Sequence, residues 1–134
     1  MMQTAVKLYE ALYVSTQAPD APVSSIANIA SKARIANAAK GITGLLIFDG
    51  MRYCQQIEGP QKAVLALMER IRVDPRHVNV EILHHGALAE RRFRTFSLGY
   101  TTADDPELLE RLEKLDGQKA VEAFLALLSQ IDWV

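Results

Sequence analysis

Apolar residues change their spacing several times along the chain, and each change marks an element. Lys7 to Ser15 (KLYEALYVS) is apolar and rich in β-forming residues, and the segment TQAPDAP ends it, which predicts a first strand. From Ser24 to Lys40 the period becomes helical. Ile26, Ile29, Ala30, Ala33 and Asn37 fall on one stripe at spacings of three and four, and Gly41 is placed to stop the helix. The unbroken apolar run Ile42 to Phe48 (ITGLLIF) predicts a strand covered on both faces. Asp49-Gly50 is a hairpin signal, and a second strand follows it inside GMRYCQQIEGP, Gly50 to Pro60. Pro60 then reads as the first position of a helix whose buried stripe is Val64, Leu67, Met68 and Ile71 and which Asp74-Pro75 ends. Val78 to Leu83 is the next strand, and Arg92 to Tyr100 another, with Phe96, Leu98 and Tyr100 alternating against Arg94. After Pro106 the pattern is helical. Leu108, Leu112 and Leu115 stripe one helix, Gly117 breaks it, and Val121, Phe124, Leu125 and Leu128 stripe a second.

The order is βαββαββ followed by two helices. It predicts an α+β fold of ferredoxin-like type, a mostly antiparallel sheet with two helices on one face. The two C-terminal helices are expected on the other face, which would account for the doubly apolar second strand. The 134 residues are one domain's length, enough to bury a core without disulfides or metals. A balance of 15 basic against 16 acidic residues, net charge −1, provides no field favouring nucleic acid or an anionic membrane. The single cysteine, Cys54, excludes an intrachain disulfide and fits a reducing compartment. No apolar run approaches the ~20 residues of a membrane span, and no signal-peptide pattern opens the chain, so a soluble cytoplasmic location is expected.

The strand with two adjacent glutamines poses a question of parity, because neighbouring strand residues point to opposite faces. Gln55 keeps company with Met51, Tyr53 and Ile57, which places it inward. Gln56 goes with Arg52, Cys54 and Glu58, on what reads as the more polar side. A buried amide needs partners for two donors and an acceptor. Backbone or water is the ordinary solution for Gln55, and a polar ligand shared with an inward tyrosine is the other. Asn37, on the apolar stripe near a helix C-terminus, either helps end the helix or aims its side chain into a pocket between helix and sheet. Tyr13 reads as packing, Arg76 and His77 as a solvated turn, and Cys54 as a buried structural thiol. His84 and His85 are adjacent in a strand and cannot chelate one metal together, and no metal-ligand spacing occurs elsewhere. Lys32, Arg34 and Lys40 read as solvent-facing charges.

Taken in order, several short motifs resemble the BLUF family, the blue-light sensors that use flavin. They are LYVS with Tyr13, N-x-x-x-GITG with Asn37 and Gly41 to Gly44, and Q-Q-I-E-G-P with Gln55 three residues before Glu58. D-P-R-H (Asp74 to His77) and R-R-F (Arg91 to Phe93) complete the set, and the resemblance covers about residues 7 to 100. It implies a noncovalently bound FAD between the first two helices, with the ring edge toward the sheet. It also implies that Tyr13 and Gln55 are the photoactive pair, that Asn37 holds the ring's carbonyl and amide edge, and that Arg76 and His77 lie close to the flavin. Phe96 and Leu98 stand where the family often has Trp and Met, on the strand that would relay the signal, and Ala33 stands where a serine is common. Phe96 has no N–H to offer the glutamine.

On that resemblance, residues 1–103 are expected to form the flavin-binding domain and residues 104–134 a helical cap or output segment of the same domain. The function expected is a photosensor without turnover chemistry, with a homo-oligomer or a separate downstream protein as its output. Cys54 points away from the face of Gln55, against flavin–cysteine adduct chemistry. The competing readings are a small acylphosphatase-like hydrolase and a light-insensitive ligand-binding module. The hydrolase would need an anion-binding loop after the first strand, and Ser15 to Val23 contains no Arg, Lys or Gly.

Overall fold

A computed structural model describes residues 7–18, 25–75, 77–101 and 107–133. In chain order the elements are β1 (Leu8–Gln17), α1 (Ser25–Ala39), β2 (Thr43–Phe48), β3 (Arg52–Pro60), α2 (Gln61–Val73), β4 (His77–Leu88), β5 (Phe96–Thr101), α3 (Leu108–Glu113), α4 (Gly117–Leu127) and β6 (Ile131–Trp133). The strands form one sheet in the order β4-β1-β3-β2-β5-β6. All neighbours are antiparallel except β2 and β5. The βαββαββ order and the ferredoxin-like α+β architecture expected from the apolar spacing are present. The short β6, paired to the last residues of β5, was not foreseen, since three residues have too little pattern to read.

Helices cover both faces. On the front, α1 packs on β5 and β2, while α2 packs on β1, β3 and β4. Ala11, Leu46, Phe48, Tyr53, Ile57, Phe96 and Leu98 form the front core with Val64 and Met68 of α2. On the rear, Leu12, Val14, Leu45, Ile47 and Cys54 meet Leu109 and Leu112 of α3 and Val121, Phe124 and Leu127 of α4. Each large apolar side chain taken fully out of water in these layers contributes about 1.5–3 kcal/mol.

Four expectations need correction. Gln56 is not on a polar face: the rear helices bury it to 1% exposure, and its amide donates to Glu10 Oε1 at 2.8 Å. The alternation was right, but both faces are interior. Pro60 ends β3 and caps α2 instead of opening it, so the helix starts at Gln61. The strand expected from Arg92 begins at Phe96, because the preceding segment is held by side chains instead of a ladder. Leu125 is 38% exposed, and Leu127 takes its place in the core stripe of α4.

Gly44 fixes how closely β2 approaches β3. Its φ is +150°, and a Cβ there would lie 1.9 Å from the backbone oxygen of Gln56. Backbone cannot retreat as a flexible side chain can. Gly44→Ala should therefore destabilise the fold by about 3 kcal/mol or more, read as a lowered midpoint in urea unfolding. An unchanged midpoint would mean that the β2–β3 approach is looser than described.

Candidate functional site

Strand register assembles the site as a row across the front face. Tyr13 of β1 lies opposite Gln55 of β3, Gln55 opposite Leu46 of β2, and Leu46 opposite Leu98 of β5. On the other side Tyr13 lies opposite Ile82 of β4. Phe96 is one row away, aligned with Gly44 and Ile57. The row runs from strands under α2 to strands under α1, so its centre faces the region between the two helices.

Tyr13 is 1% exposed and its hydroxyl donates to Gln55 Oε1. Burial chiefly, with smaller contributions from Cys54 and Asp74, pushes the phenol well above its ordinary value. Tyr13 is therefore a neutral O–H donor at ordinary pH. With Oε1 occupied by Tyr13, the NH₂ end of the Gln55 amide remains as its donor end.

Asn37 helps end its helix, the first of the two readings that its sequence position allowed. Its backbone carbonyl accepts from the N–H groups of Lys40 and Ile42 at 3.0 and 2.8 Å, which ends α1. The side chain takes no part in that. It is 2% exposed, and Nδ2 has no hydrogen-bond partner among the described residues. A buried, unfilled amide donor costs stability unless something completes it. Ile82 is 38% exposed beside Tyr13 and leaves apolar surface open at the same row. A donor without an acceptor, an amide with a free donor end and an open apolar surface fit a planar ring with a carbonyl-bearing edge.

Leu46 and Ile82 are site neighbours that the sequence did not single out. Their signal was there, in the parity of two apolar strands, but nothing in the residue type separates a site leucine from a core one. Arg76 lies outside the described residues. His77 opens β4, where its backbone pairs with Gln17. Arg34 donates to the Phe96 carbonyl at 3.4 Å and so ties α1 to β5. Cys54 lies in the rear core, and burial, followed by Asp49, pushes its thiol up, so it is an inert packing group on the face away from Gln55. Among the described residues no group of His, Cys, Asp and Glu could hold a metal ion, and no helix is long and apolar enough to cross a membrane.

Comparisons with known proteins agree with this geometry. Residues 8–99 match the family described as sensors of blue light using FAD, BLUF. The blue light- and temperature-regulated antirepressor BluF of Escherichia coli (strain K12) is 38% identical over 81 residues, which is 60% of this chain and 20% of that protein. The dark-state structure of BlrB, a BLUF protein, superposes with a TM-score of 0.73 at 29% identity, over 89% of this chain and 92% of the other. Klebsiella pneumoniae BlrP1 with FMN and cyclic diGMP gives a TM-score of 0.65 at 30% identity, over 88% of this chain and 29% of that one. The chain thus spans about a fifth of the length of its Escherichia coli relative.

The orphaned donor of Asn37 has a consequence measurable without any ligand. Asn37→Leu removes an unsatisfied buried amide, so the ligand-free protein should become more stable by about 1 kcal/mol, seen as a raised urea midpoint. A clear loss of stability would show that the Asn37 amide is already satisfied.

Proposed function

The chain belongs to the BLUF family, and from that premise we propose that it is a blue-light photosensor that binds FAD noncovalently and has no turnover chemistry. The observation that supports the reading most directly is the Tyr13–Gln55 hydrogen bond set in a row that faces the region between α1 and α2. The unfilled Asn37 donor on α1 is its complement. When bound, the flavin supplies a chromophore for blue light that is strongly oxidising once excited.

The chain's own residues then have distinct tasks. Tyr13 presents an O–H to a hydrogen-bond acceptor, the arrangement a phenol needs to lose an electron and its proton together. Gln55 holds that proton's acceptor. Its amide has a donor at one end and an acceptor at the other, so rotation or tautomerisation reverses its bonding pattern without a covalent bond to carbon. A donor gained at a ring carbonyl lowers the transition energy, and the reading therefore entails a reversible red shift. Asn37 holds the ring's carbonyl and amide edge, and Arg76 and His77 flank it. Phe96 and Leu98 lie on the strand that would carry the change onward, Leu98 in the row of the pair itself.

The division into residues 1–103 for flavin binding and 104–134 for output follows from the same reading. So does a cytoplasmic setting with the change passed to a second copy of the chain or a separate protein. The antirepressor activity in the name of the Escherichia coli relative supports a protein partner as the receiver. The hydrolase reading is not favoured: the polar groups of the front row are an amide and a phenol, with no cation among them to meet a phosphate.

Blue-light difference spectra on protein supplied with FAD test the proposal. Gln55→Leu should keep the flavin and lose the reversible red shift, whereas an unaltered shift would remove Gln55 from its role. Cys54→Ala should leave the red shift intact, since its thiol lies behind the sheet. A light response abolished by that substitution would point to adduct chemistry instead.

A further inference from the structure

The rear face buries more charge than an apolar core needs. Glu10 is 5% exposed and Glu58 fully buried, and by alternation both share the rear face of the sheet with Gln56, Leu12 and Cys54. Gln56 Nε2 and Arg92 Nη1 both donate to Glu10 Oε1, at 2.8 and 2.7 Å. His84 Nε2 lies 3.5 Å from Glu10 Oε2. Glu58 Oε1 accepts from the backbone N–H groups of Arg92 and Phe93 at 2.8 and 3.1 Å. Phe93 in turn packs against the core that contains α3 and α4. The segment Arg92–Phe93 is therefore fastened to β3 and β1 by carboxylates, and it leads directly into β5.

One group in this cluster has two places to go. The Arg92 guanidinium bonds Glu10, yet Glu58 Oε2 lies only 3.5 Å from the same nitrogen and has no hydrogen-bond partner among the described residues. Gln56 Oε1 is likewise buried and unfilled. Charge-assisted hydrogen bonds depend steeply on geometry, so a small shift of β3 against β1 changes which carboxylate holds Arg92. β3 is also the strand of Gln55. Alternation puts Gln55 on the front and its neighbour Gln56 on the rear, so a change of partner at Gln55 acts on a strand whose next residue is fixed to Glu10.

We propose that Gln56, Glu10, Glu58 and Arg92 are a transmission unit that carries the photochemical change from the front of the sheet to the C-terminal helices behind it. The Arg92 guanidinium exchanging between Glu10 and Glu58 is its two-state element. The inference rests on the photosensor reading. It adds a route across the sheet beside the one along β5, and it gives Gln56 a task of its own.

Hydrogen exchange measured by mass spectrometry on the full chain with FAD, dark against blue light, tests it together with absorption spectra. In the parent chain, light should produce the red shift and a change in exchange over residues 107–133. Glu58→Gln keeps an Oε1 for the two backbone donors but removes the second charged acceptor. It should retain the red shift and lose the change in the helices. Arg92→Met, which leaves the backbone bonds to Glu58 in place, should do the same and serves if Glu58→Gln folds poorly. Light-dependent exchange in the helices that persists in either variant overturns the inference, as does its absence from a parent chain that shifts to the red. A parent chain that binds FAD and shows no red shift overturns the photosensor reading itself, and the inference with it.

Discussion

Covering the sheet on both faces obliges the buried polar side chains of two adjacent inner strands, β1 and β3, to find partners inside the protein. β1 and β3 lie second and third from the β4 edge of the six-strand order, under α2 in front and α3 and α4 behind. Five polar or charged side chains on those strands, Glu10, Ser15, Gln55, Gln56 and Glu58, are buried. An unpaired polar group in such a setting costs as much as a substantial part of a domain's net stability. The sheet therefore works as a partition between two polar systems. One is nearly neutral and built from a phenol and an amide. The other is ionic and built from carboxylates and an arginine.

The neutral system suits chemistry in which a proton and an electron move a short way and return. Burial holds Tyr13 protonated, and its hydroxyl donates to Gln55. No formal charge sits in the front row to fix the amide in one orientation, so both bonding patterns of Gln55 remain within reach. The ionic system is suited to the opposite task. Charge-assisted bonds of 2.7–2.8 Å hold a loop in one place until the geometry of their acceptors changes.

How far this was legible in the sequence follows from the same partition. Periodicity located the long elements, because a covered strand reads as an unbroken apolar run and a one-sided helix as a stripe. Parity put Gln55 in the interior and Cys54 on the opposite face. What parity could not provide was the cover on the second face, since the companions of Gln56 are Arg52, Cys54 and Glu58, and three polar residues in four read as solvent. Gln56 and Glu58 are interior with one end of each held from afar, by Glu10, forty-six positions away from Gln56, and by Arg92, thirty-four from Glu58. Partners at that separation leave no local pattern. The boundary of β5 was missed for a related reason: the stretch before Phe96 is held by the Glu58 carboxylate, and a side-chain anchor has no periodicity.

The adjacency of the two glutamines is then a consequence of strand geometry used twice. One peptide unit joins a residue bonded to a neutral phenol to a residue bonded to a carboxylate. A helix could not do this, because its consecutive residues lie about 100° apart on one surface and share a side of the protein. A strand separates them completely, so a disturbance at one is felt at the other only through the backbone they share. Gly44, whose missing side chain lets β2 close to van der Waals distance on the Gln56 carbonyl, leaves that backbone little room to absorb the disturbance locally. The close β2–β3 approach and the buried ionic cluster thus act in the same direction, making β3 a stiff member between a neutral front and a charged rear.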